Sequence, residues 1–131
     1  MNSAQHIEYI TEGKTEFLVF KKKSSKKGPG SKDRVPFYNP SMELNRDLSI
    51  PINQWLIDNS NIHVDILDGL AASGIRGIRL ANELVGDFDV IINDWSMDAY
   101  DLIKRNIKKC KLKNAFAANK DLNTLLSDRR F

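Results

Sequence analysis

The chain has little of what stabilises secreted or membrane-bound proteins. Its single cysteine, Cys110, cannot form an internal disulfide, which fits a reducing compartment. No apolar run approaches the roughly 20 residues that span a bilayer, and no secretory signal opens the chain. The two histidines, His6 and His63, are far apart in sequence and have no cysteine nearby. We therefore expect a cytoplasmic protein with no membrane contact and no metal.

The remaining composition is that of an ordinary globular domain. Of the 131 residues, 41% are hydrophobic and 28% charged, so the chain can bury a core but is at most one domain. Its net charge of +3 is unevenly distributed. Residues 21–34 carry +6, and the rest of the chain carries −3. The excess of positive charge is therefore local, which makes it more informative than the total.

A strand, a glycine-containing turn and a helix are predicted at residues 64–77, VDILDGLAASGIRG. The apolar residues before Asp68 indicate a buried strand. Gly69 and Gly74 allow backbone angles or close approaches that a Cβ would block. Units of this kind bind nucleotides and related molecules in α/β proteins. The spacing is not G-x-G-x-x-G, however, and such turns also occur with nothing bound.

A carboxylate at the end of the next predicted strand supports the nucleotide interpretation. The strand covers residues 88–94, FDVIIND, and Asp94 follows Gly74 by twenty residues. Nucleotide-binding units place the acid that accepts hydrogen bonds from ribose hydroxyls at about this spacing. A strand-end Asp is also a common helix N-cap, a role for which Ser96 and Asp98 compete here.

The other predicted elements complete an alternating pattern. They are a small β region over residues 7–20 with a turn at 12–14, a helix from about residue 40 that Pro51 kinks or divides, a helix ending near Gly86, a helix over residues 97–111, a strand at 115–118 and a short helix through Leu126. From residue 64 the order is strand, helix, strand, helix, strand, helix. This order predicts an α/β fold with a partial, doubly wound parallel sheet.

Two groups of charged or aromatic residues allow a structural interpretation as well as a functional one. Phe37 and Tyr38 precede a helix that carries Arg46. Composition alone favours core packing for the two rings and a surface position for Arg46. The Lys and Arg residues of the helix at 97–111 lie towards its end, where they complement the macrodipole. We therefore do not assign this helix to nucleic acid.

The basic stretch is predicted to form an exposed loop. It has no apolar periodicity and contains Gly28, Pro29 and Gly30. Clustered basic side chains provide salt-sensitive contacts to phosphates. The candidates for RNA binding are Lys21, Lys22, Lys23, Lys26, Lys27 and Arg34. A solvated linker is the alternative.

Taken together, the motifs resemble a known family. They are FYNP at 37–40, LNRD at 44–47, DGLAASGIRGIR at 68–79, ND at 93–94 and AYDLIKRN at 99–106. This set is similar to the tRNA (guanine(26)-N(2))-dimethyltransferases, particularly the archaeal type, and the likeness runs from about Ile10 to the end. It implies a Rossmann-like class I methyltransferase fold, tRNA as partner and S-adenosylmethionine as cofactor.

The resemblance also implies roles for individual residues. Phe37 matches an aromatic residue proposed to stack on the flipped guanine. The guanine has to leave its stack before its exocyclic amine can be methylated. Arg46 and Arg76 match contacts to S-adenosylmethionine, and Asp94 matches the acid that holds its ribose. The cofactor loop contributes Asp68, Gly69 and Gly74, and the segment at the adenine contributes Asp121 and Leu122.

The likeness covers only the N-terminal part of the family. The family's Asp-Pro-Phe-Gly-type catalytic motif is absent, so we expect a truncated chain that is inactive alone and monomeric. Residues 1–36 are expected to form a β segment with the basic loop, and residues 37–131 the cofactor half. There are two alternatives. The chain could belong to another kind of nucleotide-binding enzyme, such as a dehydrogenase, or it could be a non-catalytic RNA-binding module.

Overall fold

Five strands and four α-helices lie in the part of the chain that the structure describes, and they alternate from the second strand onward. The computed structural model describes residues 6–21 and 35–129. The elements are β1 (Ile7–Glu12), β2 (Thr15–Phe20), a short 3-10 turn (Pro40–Met42), α1 (Glu43–Asp58), β3 (Val64–Asp68), α2 (Ile75–Glu83), β4 (Phe88–Asn93), α3 (Met97–Lys109), β5 (Ala115–Ala118) and α4 (Leu122–Asp128). In the described ranges, no helix has the length and apolarity to cross a membrane.

The predicted parallel sheet is confirmed. Its order is β3-β4-β5, with Ile66 paired with Val90 and Val90 with Ala115. Because β4 is central and covered, its residues from Val90 to Asn93 are all buried. The three parallel strands end at one edge of the sheet, where the loops that follow them meet. The fold thus gathers Asp68, Asp94 and the start of α4 at this edge.

The apolar core lies between this sheet and its helices. Val90 and Ile92 of β4, Ile78 of α2 and Ile103 of α3 are each fully buried there. A smaller cluster joins Phe17 and Val19 of β2 to Ile75 of α2. The second cluster fixes the β1–β2 hairpin next to the beginning of α2, beside the carboxyl edge of the sheet.

Hydrogen bonds from helices also hold the hairpin in place. The side chain of Asn106, which is completely buried, accepts from the Leu18 backbone N–H at 2.7 Å and donates to the Leu18 carbonyl at 3.0 Å. The hydroxyl of Thr15 donates to Glu83 at 2.8 Å. The turn is shorter than expected: Glu12 belongs to β1, and Gly13 takes a left-handed conformation with φ of 54°.

Helix α1 is one uninterrupted helix with an exposed apolar stripe. It continues through Pro51 and is not divided, although Pro51 cannot donate a backbone hydrogen bond. Side-chain bonds in the neighbouring turns, from Ser49 to the Asn45 carbonyl and from Asn53 to the Ser49 carbonyl, accompany this loss. Its apolar stripe is largely exposed, namely Leu44, Leu48, Ile52, Trp55 and Leu56.

Candidate functional site

The loop after β3 is fastened to the end of β4. The Ala71 N–H donates to the Asn93 carbonyl at 3.0 Å, and the Ala72 N–H donates to Asp94 Oδ2 at 2.8 Å. Ala72 has a φ of 49°, a left-handed conformation that non-glycine residues rarely adopt. The loop is therefore held in a strained conformation against the Asp94 carboxylate. Such strain is concentrated at ligand sites.

The backbone before α2 requires a glycine at Gly74. Its φ is 76°, and a Cβ would lie 2.5 Å from Ile103 Cγ1. Gly69 leaves room for a neighbouring side chain, since a Cβ there would lie 2.7 Å from Leu122 Cδ1. Both glycines thus permit the close packing that the sequence predicted. Leu122 lies against the glycine loop.

The competition for the α3 N-cap is resolved in favour of Ser96. The Ser96 hydroxyl accepts from the Ala99 N–H at 3.5 Å, while Asp94 Oδ1 accepts from the Ser96 N–H at 2.9 Å. Asp94 is 8% exposed. Each carboxylate oxygen has two lone pairs, so both can accept a further hydrogen bond. Asp94 thus remains able to accept hydrogen bonds from a ligand.

Two cavities adjoin along the glycine loop. The larger, about 690 Å³, is lined by Asp94, Trp95 and the first turn of α3. The smaller, about 170 Å³, is lined by Asp68, Arg46 and Arg76. Phe37 and Ala72 line both. Their combined size is in the range of pockets that hold small molecules and cofactors.

Asp68 lies at the end of β3, beneath the beginning of α2. Its Oδ2 accepts from the Gly77 N–H at 3.0 Å. Burial raises the pKa of Asp68 above its ordinary value, and the neighbouring Asp94 adds to this, while the Gly77 N–H and Arg76 oppose it. A positively charged group placed in the smaller cavity would lower this pKa again. The cavity therefore presents a carboxylate, Asp68, as well as the guanidinium groups of Arg46 and Arg76.

Arg46 is buried, contrary to the surface position that composition favoured. Its Nε donates to Glu12 Oε2 at 2.8 Å, Nη2 donates to the Asn39 carbonyl at 3.0 Å, and the guanidinium lies over the Tyr38 ring. Glu12 also accepts from Tyr38 at 2.7 Å and from Arg79 at 3.3 Å. Arg46 thus joins the hairpin to α1 and borders the smaller cavity.

The charges in this group hold one another in their ionised forms. Burial by itself would raise the pKa of Glu12, but the hydrogen bonds from Arg46 and Tyr38 outweigh it and the pKa is lowered. Burial and the Glu12 carboxylate raise the pKa of Tyr38 to about 12. Arg79 also donates to Asp47 at 2.6 Å and to Glu83 at 2.9 Å. Glu12 is therefore the shared acceptor of a buried ionic network.

Arg76 is half-buried and reaches towards α1. It donates to Asn45 Oδ1 at 2.6 Å and to the hydroxyl of Ser49. It lies on the wall of the smaller cavity together with Arg46 and Asp68. These three predicted site residues are therefore brought together. Asn45 and Ser49 would fix the orientation of the Arg76 guanidinium.

Phe37 and Tyr38 have different environments. Phe37 is 58% exposed and lines both cavities of the site, so it is not the core anchor that composition favoured. Tyr38 is half-buried and packs edge-on against Phe17, with 5.7 Å between the ring centroids. The tyrosine thus fixes the segment while the phenylalanine faces the site.

Asp121 is the N-cap of α4. Its Oδ1 accepts from the Thr124 N–H at 3.1 Å, and the residue is exposed. Asp121 and Leu122 line neither of the two cavities described above. They lie at the same edge because the Lys120 N–H donates to Asn93 Oδ1 at 3.0 Å.

Of the predicted RNA contacts, Lys21 is exposed directly after β2. The other predicted contacts lie outside the described residues, namely Lys22, Lys23, Lys26, Lys27 and Arg34.

The sequence patterns assign no role to Asn93, although it belongs to the ND motif at 93–94. Its buried amide donates to the carbonyls of Gly69 and Lys120, each at 3.0 Å, and so connects the ends of all three strands. The one signal in the sequence is an amide that ends an apolar strand directly before Asp94. Glu12 is a second functional residue that the sequence does not reveal, because its partners lie far away along the chain.

Solved structures show the class to which this arrangement belongs. Trm1 from Pyrococcus horikoshii, in complex with S-adenosyl-L-methionine, matches with a TM-score of 0.71 and 31% identity over 93% of this chain and 33% of that one. An S-adenosylmethionine-dependent methyltransferase from Agrobacterium tumefaciens shares the fold, with a TM-score of 0.66 at 12% identity, over 97% and 36% of the two chains. The chain has the Rossmann-like fold of class I methyltransferases, preceded by an antiparallel hairpin.

The family follows from the sequence comparisons. The family of N2,N2-dimethylguanosine tRNA methyltransferases matches residues 13–131, and the chain belongs to it. A tRNA (guanine(26)-N(2))-dimethyltransferase of Methanococcus maripaludis is 42% identical over 92% of this chain, and one of Sulfolobus acidocaldarius is 40% identical over 91%. The chain spans about a third of the length of these curated relatives, 32% and 31% respectively.

Proposed function

We propose that this chain is the cofactor-binding part of an enzyme that methylates the exocyclic N2 of guanine 26 in tRNA, with S-adenosylmethionine as methyl donor. The enzyme would add one methyl group and then a second one to the same nitrogen. Residues 37–131 would form the cofactor-binding half. Family membership supports this reaction, and the carboxyl edge of the sheet supports the cofactor. The basic residues of the stretch at 21–34 stay a predicted RNA contact.

The Asp94 carboxylate carries the proposal. It directly follows β4, twenty residues after Gly74, lines the larger cavity, and is not the N-cap of α3. Its two oxygens each accept one backbone hydrogen bond and can accept another. A pair of vicinal ribose hydroxyls would supply those donors. The local chemistry therefore fits a nucleoside.

The smaller cavity fits the other half of the proposed cofactor. When bound, S-adenosylmethionine supplies a methyl group on a positively charged sulfur, together with an ammonium and a carboxylate. Asp68 would attract the cationic groups, and Arg76 would bind the carboxylate. The strained loop between them would hold these groups in a fixed orientation, which lowers the entropic cost of transfer.

Phe37 is suited to hold the acceptor base. A guanine must leave its stack before its exocyclic amine can be reached, and an aromatic face stabilises the extruded base. Phe37 lies where the two cavities meet, beside the proposed cofactor site. Its ring would therefore position the guanine amine near the methyl group.

Calorimetry with S-adenosylmethionine and with NAD⁺ tests the cofactor. We expect S-adenosylmethionine to bind more tightly, and Asp94→Ala to weaken it at least about 100-fold, since two charge-assisted hydrogen bonds of about 1.5–3 kcal/mol each are lost. Asp94→Asn keeps the size of the side chain and should also weaken binding. Asp58→Ala, an exposed carboxylate at the end of α1, is the control and should leave the affinity unchanged.

Tighter binding of NAD⁺, or unchanged affinity in both Asp94 variants that retain the wild-type melting temperature, would contradict the proposed site. The reaction itself is measured in a chain as long as the curated relatives. We expect it to incorporate labelled methyl groups into an unmodified tRNA transcript at guanine 26, and not into a transcript with adenine there. Equal labelling of both transcripts would contradict the proposed substrate.

A further inference from the structure

A second concentration of positive charge lies at the end of α3. Residues 104–113, KRNIKKCKLK, contain six Lys and Arg and no acidic residue. Two of the cations are paired, Lys104 with Asp101 at 3.1 Å and Lys109 with Glu16 at 2.7 Å. The other four, Arg105, Lys108, Lys111 and Lys113, have no ion pair among residues 6–21 and 35–129. This stretch therefore presents uncompensated positive charge.

Stabilisation of the helix does not explain all of this charge. The helix macrodipole acts within the last turn, and α3 ends at Lys109. Lys111 and Lys113 come after the end of the helix. Lys111 occupies the left-handed position of a Schellman motif, with φ of 52°, and the next N–H, of Leu112, donates to the Ile107 carbonyl. Glycine is preferred there, so the lysine is unfavourable for folding.

The tertiary structure places these cations beside aromatic rings. A groove of about 570 Å³ runs between α3 and the outer edge of β5, and it is lined by Lys104, Lys108 and Lys111 together with Tyr100 and Phe116. We call it the α3 groove. Phe116 is 51% exposed, and the Lys104 ammonium lies 4.3 Å from the centre of the Tyr100 ring. Lys104 and Lys108 are one helical turn apart, about 6 Å along the axis.

Aromatic faces next to lysines are a combination that suits nucleic acid, and two of the groove lysines, Lys108 and Lys111, have no ion pair within the described residues. Lysines contact phosphates, and every base has a face that can stack on an aromatic ring. The groove also begins on the same helix as the proposed site, because Tyr100 lines the groove and the residue before it, Ala99, lines the larger cavity. An acidic protein surface would match the charge but would not require the exposed ring.

We propose that the α3 groove binds the sugar–phosphate backbone of the substrate RNA, outside the cofactor site. Lys104, Lys108 and Lys111 contact phosphates, and an unpaired base lies against Phe116. The proposal rests on the proposed function, since it takes the RNA to be the tRNA that is methylated. It assigns this helix a partner that its sequence pattern alone did not.

Salt-dependent binding of this chain to an unmodified tRNA transcript tests the groove. Replacing Lys108 and Lys111 with Gln removes two phosphate contacts, so the slope of log affinity against log salt should become shallower by about 1.5 to 2. The Lys14→Gln, Arg129→Gln double variant is the matched control, since it removes the same charge from other surfaces. It should leave the slope unchanged.

Two single variants separate binding from folding. Lys111→Gly should raise the melting temperature, because glycine relieves the left-handed backbone, and should still weaken tRNA binding. Phe116→Leu should weaken tRNA binding about tenfold, the loss typical of one stacked base. An equal loss in the matched control, unchanged binding in both single variants, or failure of the wild-type chain to bind tRNA would overturn the proposal.

A polyglutamate competitor and the cofactor titration distinguish the remaining outcomes. If polyglutamate displaced a labelled oligonucleotide of uridines as effectively as unlabelled RNA does, the groove would be a surface for acidic proteins, and the proposal would be wrong. S-adenosylmethionine affinity is measured on the same variants. If the groove variants bind both the cofactor and RNA as the wild type does, the proposal for the α3 groove is wrong and the proposed function stands. If the wild-type chain does not bind S-adenosylmethionine, the proposed function is wrong.

Discussion

Two neighbouring polar residues at the end of β4 have separate tasks. Asn93 is completely buried, and its amide connects Gly69 and Lys120 at the ends of the neighbouring strands. Asp94 faces the larger cavity and holds the glycine loop through the Ala72 N–H. The strand therefore ends in one residue that fixes the edge of the sheet and one that can bind a ligand there.

At the opposite end of the sheet, a histidine is surrounded by carboxylates. His63 Nδ1 lies 2.6 Å from Asp87, and Nε2 lies 3.2 Å from Asp89 and 3.5 Å from Asp65. His63, Asp65 and Asp89 could hold a metal ion, since their ligand atoms lie within 4.8 Å of one another. The hydrogen bond to Asp87 and the charges of all three acids raise the pKa of His63.

This raised pKa predicts a pH-dependent stability. A histidine whose pKa is higher in the folded than in the unfolded state contributes stability below the unfolded value of about 6.5, and loses it as the pH rises through the folded value. The melting temperature of wild type should therefore exceed that of His63→Gln most at about pH 6 and converge with it at alkaline pH. An imidazole that titrates at or below its ordinary pKa by NMR would contradict this.

Among the elements, the junction of the glycine loop and α2 depends most on a single residue. Gly74 combines a left-handed φ with a close approach to Ile103, and its carbonyl accepts the Ile78 N–H at 2.9 Å. Gly69 tolerates more, because the atom it would meet is the flexible end of Leu122. The two glycines of one loop therefore differ in how much they constrain the fold.

Gly74→Ala should lower the free energy of unfolding by about 2 kcal/mol or more, since it adds left-handed strain to overpacking against Ile103. Gly69→Ala has only the Leu122 contact to relieve and should cost less. Urea unfolding of both variants measures the difference. Equal losses would show that the backbone conformation at Gly74 is not limiting.

At the scale of the whole molecule, one buried carboxylate joins three separate parts of the chain. Glu12 belongs to the hairpin, Arg46 to α1 and Arg79 to α2, and all three side chains are buried. Within the described residues, every buried side-chain nitrogen and oxygen has a hydrogen-bond partner. The hairpin is thus tied to the helices that border the proposed site.

Glu12→Gln should lower the free energy of unfolding by roughly 3 kcal/mol or more, because it removes the carboxylate partner of the buried Arg46 guanidinium, whereas Arg79 keeps Asp47 and Glu83. Glu16→Gln is the matched control: this exposed carboxylate pairs with Lys109 at the surface and should contribute less than about 1 kcal/mol. Chemical denaturation of both variants checks the difference. A small loss in Glu12→Gln would mean that the network does not hold the hairpin.

The sequence by itself determined the strand–loop–helix unit and the place of Asp94. Both follow from local rules, since apolar periodicity, glycine backbone freedom and the spacing of two neighbouring strand ends all act over a few tens of residues. The alternating elements and the parallel sheet were predictable for the same reason. The glycines at 69 and 74 needed no knowledge of distant residues to be identified.

The tertiary structure alone decided which charges are paired. Arg46 is buried because Glu12, 34 residues earlier, lies against it, and Arg76 is oriented by α1. The α3 groove exists because β5 returns beside α3 and brings Phe116 next to Lys108 and Lys111. The energy of a charge depends on its partners and its burial, and both are set by contacts between residues far apart in sequence.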